Sequence, residues 1–278
     1  MLEVLPPTHN SEESLSVCRN NNDSFDGSCL TTKQLSKIAK IINPSYIETN
    51  RFKIKKYIDE QLHLTNKPEY LILGLKIMNK LSYSEQQIIK QSYKPFGPID
   101  YTWLSNFDIL DIFSRYEIDH KDFKFLDATY NDFLYYPSSN IYQDCKFLDI
   151  YKDKQKFGMV INQDCHNLGG SHWVALYFDR NGNIYYYDSV GRPPKKNVKD
   201  FIQLLQKYFK DKGINAVIKI NNIEHQFGNS ECGIYSTVFL IRLIEGEENV
   251  DDIFNMVVKD DTIHKFRRFL FNEEIKTE

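Results

Sequence analysis

The chain has 278 residues, 41% hydrophobic and 26% charged, which supplies a sizeable core and excludes a disordered chain. Lys and Arg total 35 against 38 Asp and Glu, and the net charge of -3 gives no strong pull toward nucleic acid or an anionic membrane. With 18 Tyr and 19 Phe against 12 Gly and 9 Pro, collagen-like, linker-like and Pro-rich classes are excluded too.

No apolar run reaches the roughly 20 residues that span a bilayer. The opening MLEVLPPTHNSEES has neither the basic region nor the apolar core of a secretory signal. Cys18, Cys29, Cys145, Cys165 and Cys232 are few and odd in number, which argues against a disulfide framework. A non-secreted protein in a reducing compartment is expected.

Residues 1–29 are polar and lack an apolar period, so a flexible arm is expected there. From 30 to 93 the pattern is helical. Thr31 or Thr32 can cap a helix through LSKIAKII that Asn43-Pro44 stops. FKIKKYIDEQL, EYLILGLKIMNKL (69–81) and SYSEQQIIKQSY give three more, and together they form a helical N-terminal domain. Pro95, Gly97 and Pro98 mark a joint, and 94–278 is the second domain. Its first helix, in TWLSNFDILDIFSRYE, takes Ser105 or Asn106 as cap and turns Phe107, Ile109 or Leu110, and Phe113 inward. The tract 120–156 mixes aromatics with turn residues and shows no clear period.

FGMVIN, HWVALYFD and NIYYYDS then read as strands, with Asn181-Gly182 as a hairpin turn. VKDFIQLLQKYFKDKG is a helix closed by Gly213, AVIKINN a further strand, CGIYSTVFLIRLIEG a buried helix and TIHKFRRFLFNE a terminal one. The fold class is α+β, a mixed sheet flanked by helices behind a helical arm.

The strongest chemical signal is Cys232, after a polar loop and at the start of the buried helix. A thiol there faces the positive end of the helix, which favours the thiolate, although a buried structural cysteine also fits the position. His172 begins a strand after Gly169-Gly170-Ser171 and can project into a cleft as a general base or lie as a satisfied surface histidine. Asp188 ends the strand paired with the His172 strand, where it can orient the imidazole or cap a turn. Gln226, six positions before Cys232, can donate to an oxyanion together with the Cys232 N–H. His166 follows Cys165, but no second pair at ligand spacing accompanies them, so no metal site is expected. The weight lies on the joint pattern of four.

That order, His172-Trp173, then Asp188, then Gln226 and Cys232-Gly233, resembles the Ulp1-like cysteine proteases. The family includes the SUMO deconjugases, the adenovirus protease and the core proteases of large cytoplasmic DNA viruses. WLSNFDI, GGSHWVALYFD, YYYDSVG, NNIEHQFGNSECGIYS and HKFRRFLF most resemble the African swine fever virus type of polyprotein protease. The likeness spans 95–271, while the arm matches in size and helical character only.

The resemblance implies that His172 is the base, Cys232 the nucleophile, Gln226 the oxyanion donor and Asp188 the orienting acid. Trp173 packs near the cleft, as in the wider family. One departure is visible: the swine fever type carries Asn where this chain has Asp188, as the deconjugases have. The implied activity is a thiol endopeptidase without metal or organic cofactor, cutting viral core polyproteins at Gly-Gly-X sites in host cytoplasm and virion. Neither integral membrane association nor specific nucleic-acid binding is expected. A deconjugase for SUMO or ubiquitin-like proteins, an acyltransferase on the same residue order, and an inactive scaffold remain as alternatives. The helical arm either positions substrate or stabilises the core.

Overall fold

The computed structural model describes residues 28–63, 77–135, 140–246 and 249–272. They fall into two compact units that divide between Phe96 and Gly97. The flexible arm expected over 1–29 lies, but for its last two residues, outside the described residues.

In the first unit, α1 (Thr32–Ile42) starts where Thr31 caps it. The Thr31 hydroxyl accepts from the Gln34 N–H at 3.3 Å, and the Gln34 side chain accepts from the Thr31 N–H at 2.6 Å. Asn50 caps α2 (Arg51–Leu62), and the Ser82 N–H donates to Glu85 at the start of α3 (Tyr83–Lys90). Such short helices are marginal alone in water. Their apolar faces, Leu35 with Ile38 and Ile54 with Ile58, meet Leu81 and Ile89 in one small core. The helix expected over 69–81 lies mostly outside the described residues, and its end, Met78–Lys80, is a single 3-10 turn. Cys29 is disulfide-bonded, while Cys145, Cys165 and Cys232 are free. A sparse, odd count disfavours a framework of bridges but leaves room for one.

The second unit opens with α4 (Asn106–Asp119), capped by Ser105 with Asp108 closing the box. Ile109, Ile112 and Phe113 turn inward, whereas Phe107, expected inside, is exposed. Phe107 stands two residues before Ile109, about 200° round the helix, so one stripe does not hold both. Then come β1 (Phe123–Tyr130), the short helices α5 (Asn140–Gln143) and α6 (Lys146–Ile150), β2 (Lys156–Asn162), β3 (Trp173–Asp179) and β4 (Asn183–Tyr187). Helix α7 (Lys196–Asp211), β5 (Val217–Ile220), α8 (Cys232–Glu245), α9 (Val250–Asn255) and α10 (Asp260–Leu270) complete it.

The five strands lie side by side in sequence order. β1 pairs parallel with β2 and β4 with β5, while β2–β3 and β3–β4 are antiparallel. β3 is central and buried on both faces, which is why HWVALYFD reads as an unbroken apolar run. Trp173, Ala175 and Tyr177 join a core with Phe113, Phe239 and Leu240. Val174, Leu176 and Phe178 join the opposite one with Phe157, Phe201 and Leu205. The β3–β4 turn is the one Asn181-Gly182 predicts: Gly182 has φ 89°, and Asp179 Oδ1 accepts from the Asn181 and Asn183 N–H groups.

β1 supplies the order missing from the tract 120–156. Its register slips between Phe125 and Asp127, so Phe123, Phe125 and Ala128 are buried out of strict alternation. A bulge of this kind erases the period-two signal while keeping the strand.

Candidate active site

The antiparallel pairing of β3 with β4 runs up to Ala175 opposite Tyr187. The residues just beyond, His172 before β3 and Asp188 after β4, therefore meet at the same end of the sheet. His172 Nε2 lies 2.7 Å from Asp188 Oδ1. Asp188 is buried, its Oδ1 also accepts from the Val190 N–H at 3.0 Å, and its backbone carbonyl accepts from Asn221 Nδ2 at 2.8 Å. A carboxylate held this way is an acceptor, so Nε2 donates to it and Nδ1 is left toward the nucleophile. Cys232 is close enough to the imidazole to act on its charge.

Cys232 is the first residue of α8 and is buried at 2% exposure, against 16% for the His172 side chain. Its N–H opens the helix, so no carbonyl one turn back inside the helix accepts from it. Gly233 permits the close approach of Leu104, since a Cβ there would stand 3.1 Å from Leu104 Cβ. Two further bonds hold the His strand, one to the Cys helix and one to the segment before α4. Ser236 Oγ donates to the Trp173 carbonyl at 3.1 Å, and Trp173 Nε1 donates to the Leu104 carbonyl at 2.9 Å. Trp173 thus clamps the segment before α4 against the site.

Burial alone would lower the His172 pKa. The hydrogen bond to Asp188 and the negative charge of Asp188 and Cys232 outweigh it and raise the value to about 9 from an ordinary 6.5. Cys145 shows the opposite setting: burial first, then Asp144, pushes its thiol up to about 12. Of these two thiols, only Cys232 has an imidazole beside it.

Gln226 is buried in the loop before α8. Its Oε1 accepts from Ser189 Oγ at 2.6 Å, which turns Nε2 outward, and Nε2 donates to the Gly228 carbonyl at 3.0 Å. An amide nitrogen carries two hydrogens, so one donor remains available. Neighbouring His225 is fixed as a neutral tautomer: Nε2 donates to the Phe254 carbonyl at 2.9 Å, Tyr187 OH donates to Nδ1 at 3.1 Å, and burial lowers its pKa.

These contacts bring His172, Asp188 and Cys232 together, with Gln226 joined to Asp188 through Ser189, the residue after it. Residues 151–278 match the profile of the Ulp1 protease family, C-terminal catalytic domain. Residues 151–278 thus carry a catalytic domain of the Ulp1 type, that of a cysteine protease. Among relatives, a protein of Acanthamoeba polyphaga mimivirus that carries a thiol-protease name is 28% identical over 91% of each chain. The SUMO-1 cysteine protease of African swine fever virus is 26% identical over 66% of this chain and 73% of the relative. The crystal structure of the selenomethionine form of the swine fever virus protease superposes with TM-score 0.69 at 21% identity, covering 94% of this chain and 97% of that one. The Ulp1-like fold with a helical N-terminal arm is therefore shared.

Sequence reasoning missed the charges behind Cys232. Glu231 is buried and holds Arg267 Nε at 2.9 Å and His264 Nδ1 at 3.0 Å. Arg267 is fully buried and also donates to the carbonyls of Pro98 and Thr102 at 3.0 and 2.9 Å. The signal was present: Ile263, Phe266, Arg267 and Leu270 follow the helical spacing of a buried stripe, with Arg267 inside it. His166, weighed against a metal role, pairs instead with Asp132 at 2.6 Å. Among the described residues no group of three His, Cys, Asp or Glu side chains is placed to hold a metal ion, and no helix is long and apolar enough to cross a membrane.

Proposed function

We propose that this cysteine protease is an endopeptidase that processes viral structural polyproteins at Gly-Gly-X sites, with Cys232 as nucleophile, His172 as base, Asp188 as orienting acid and Gln226 as oxyanion donor. The observation that carries the site assignment is the cluster of Asp188, His172 and Cys232, with 2.7 Å between its first two members. The Cys232 thiolate attacks the scissile carbonyl, and the oxyanion rests on Gln226 Nε2 and the Cys232 N–H. His172 passes its proton to the leaving amine, then takes one from the water that releases the acid product. No step calls for a metal or organic cofactor.

The Gly-Gly preference accords with the aromatics on the segments that flank the site. Trp103, exposed at 46%, adjoins the Leu104 that packs on Gly233, and Phe227, exposed at 70%, follows Gln226. A cleft narrowed by aromatics would admit glycine where side chains would clash. The viral assignment and its setting in host cytoplasm and virion rest on the two viral relatives, one aligned along nearly the whole chain. The same reading divides the chain into a helical domain at 30–93 and a protease core at 94–278. A second reading, removal of SUMO or another ubiquitin-like protein, is favoured by the name of the swine fever virus relative.

Cleavage of Gly-Gly-X polyprotein peptides, measured beside a panel of ubiquitin-like conjugates, separates the two. Turnover of the peptides with the conjugates left intact is expected. Efficient cleavage of a conjugate with the peptides left whole would reverse the assignment.

The pH dependence follows from His172. Its folded pKa of about 9 lies above the ordinary 6.5, so the contribution to stability is fully present below pH 6.5 and is lost as pH rises through about 9. The alkaline limb of kcat/KM is accordingly expected near pH 9 and should move down in Asp188→Asn, which removes one supporting charge. A limb near 6.5 in the unaltered enzyme would mean that the pair does not hold the imidazole charged.

A further inference from the structure

The loop 225–231 carries both Gln226 and the residue before the nucleophile. On one side Ser189 anchors it, since the Ser189 carbonyl accepts from the His225 and Gln226 N–H groups at 2.8 and 2.9 Å. On the other side the anchor is Asp260, at the start of α10. Its Oδ2 accepts from the Phe227 N–H at 3.0 Å and from the Gly228 N–H at 2.7 Å. Its Oδ1 lies 3.1 Å from Tyr235 OH, a hydroxyl that also stands 2.6 Å from the Val258 carbonyl and 3.1 Å from the His225 carbonyl.

We propose that Asp260 is a positioning residue for the oxyanion hole: it fixes the Gly228 peptide, and that peptide fixes the carboxamide of Gln226. The chain of contacts is short. Asp260 takes the Gly228 N–H, and the carbonyl of the same residue takes Gln226 Nε2 at 3.0 Å. With Ser189 Oγ on Oε1, the carboxamide is held at both ends, which leaves one N–H direction for an oxyanion. Charge-assisted bonds to backbone N–H groups are about twice as strong as neutral ones, so a carboxylate suits the task. The helix itself shows what Asp260 is turned toward. Lys259 stands at the N-cap of α10 without a side-chain cap bond, and Asp260 spends its oxygens on the loop instead. Preorganised donors act only when they are already aimed, so slack in Gly228 would be felt in turnover more than in binding.

The inference rests on the reading of Gln226 as oxyanion donor, and a double-mutant cycle in the full chain tests the two separately. The substrate is the peptide cleaved best in the panel above. Gln226→Ala is expected to lower kcat on the order of 10²-fold. Asp260→Ala should lower kcat about 10-fold with KM nearly unchanged, and Asp260→Asn, whose amide oxygen still accepts, should recover part of it. In the Gln226→Ala background Asp260→Ala should cost nothing further. Alkylation of Cys232 by iodoacetamide, which needs no oxyanion hole, should run at the unaltered rate in Asp260→Ala. A full rate for Gln226→Ala would remove the oxyanion reading and this proposal with it. A slow Gln226→Ala beside a full-rate Asp260→Ala, an Asp260 effect that multiplies unchanged into the double variant, or a change in KM alone would overturn the proposal and leave Gln226 in place.

Discussion

Cys232→Ala and His172→Ala should each lower peptide cleavage by at least about 10⁴-fold, because the proposed nucleophile and base would act as one unit. The two variants should differ in stability. Cys232 is a buried small side chain, and alanine fills nearly the same space, so the unfolding temperature should stay within a few degrees. His172→Ala leaves the buried Asp188 carboxylate with the Val190 N–H and without its cation, at a cost of roughly 1–3 kcal/mol. Peptide-cleavage rates and unfolding by circular dichroism on the same preparations check both halves. Cleavage by Cys232→Ala above the uncatalysed rate would sink the mechanism. An equal loss of stability in the two variants would instead question the Asp188–His172 pair.

The parts of the fold legible in the sequence are those where local chemistry and tertiary setting agree. Gly182 in the β3–β4 turn takes the positive φ that glycine favours, Thr31 and Ser105 cap the helices they precede, and the apolar run after His172 is the strand buried on both faces. The site was legible for a related reason. A strand end, a hairpin partner and a helix start place His172, Asp188 and Cys232 at corners that topology brings together. What was hidden depended on distant partners. β1 lost its alternation to a bulge, and α9, with six residues, is too short for a period to show. Glu231 and Asp260 look like ordinary solvated charges until the fold shows that each meets a partner 32 or more residues away, and for Arg267 the buried stripe signalled burial but not its partner. Disulfide bonding at Cys29 was equally invisible to counting.

Arg267→Met should be the most destabilising single substitution outside the site residues. The guanidinium is fully buried, and it neutralises Glu231 while donating to the Pro98, Thr102 and Ser230 carbonyls. Removing it leaves a buried carboxylate with only His264 beside it and strips three carbonyls of a donor. Breaking a buried pair from one side costs about 3–5 kcal/mol, which for a unit of this size lowers the unfolding temperature on the order of 10 °C. Glu231→Gln combined with Arg267→Met should recover part of the loss, because the uncompensated charge is then gone. Urea unfolding of the two singles and the double measures the cycle, and a single Arg267→Met within about 1 kcal/mol of the unaltered protein would refute the pair as a structural necessity. Arg267→Lys separates stability from chemistry. Lysine keeps the charge but has no planar fork to span Glu231 and the three carbonyls at once. Glu231 is the residue before Cys232, so any shift of its carboxylate moves the sulfur against His172. The folded Lys variant should therefore lose kcat while its thiol still reacts with iodoacetamide.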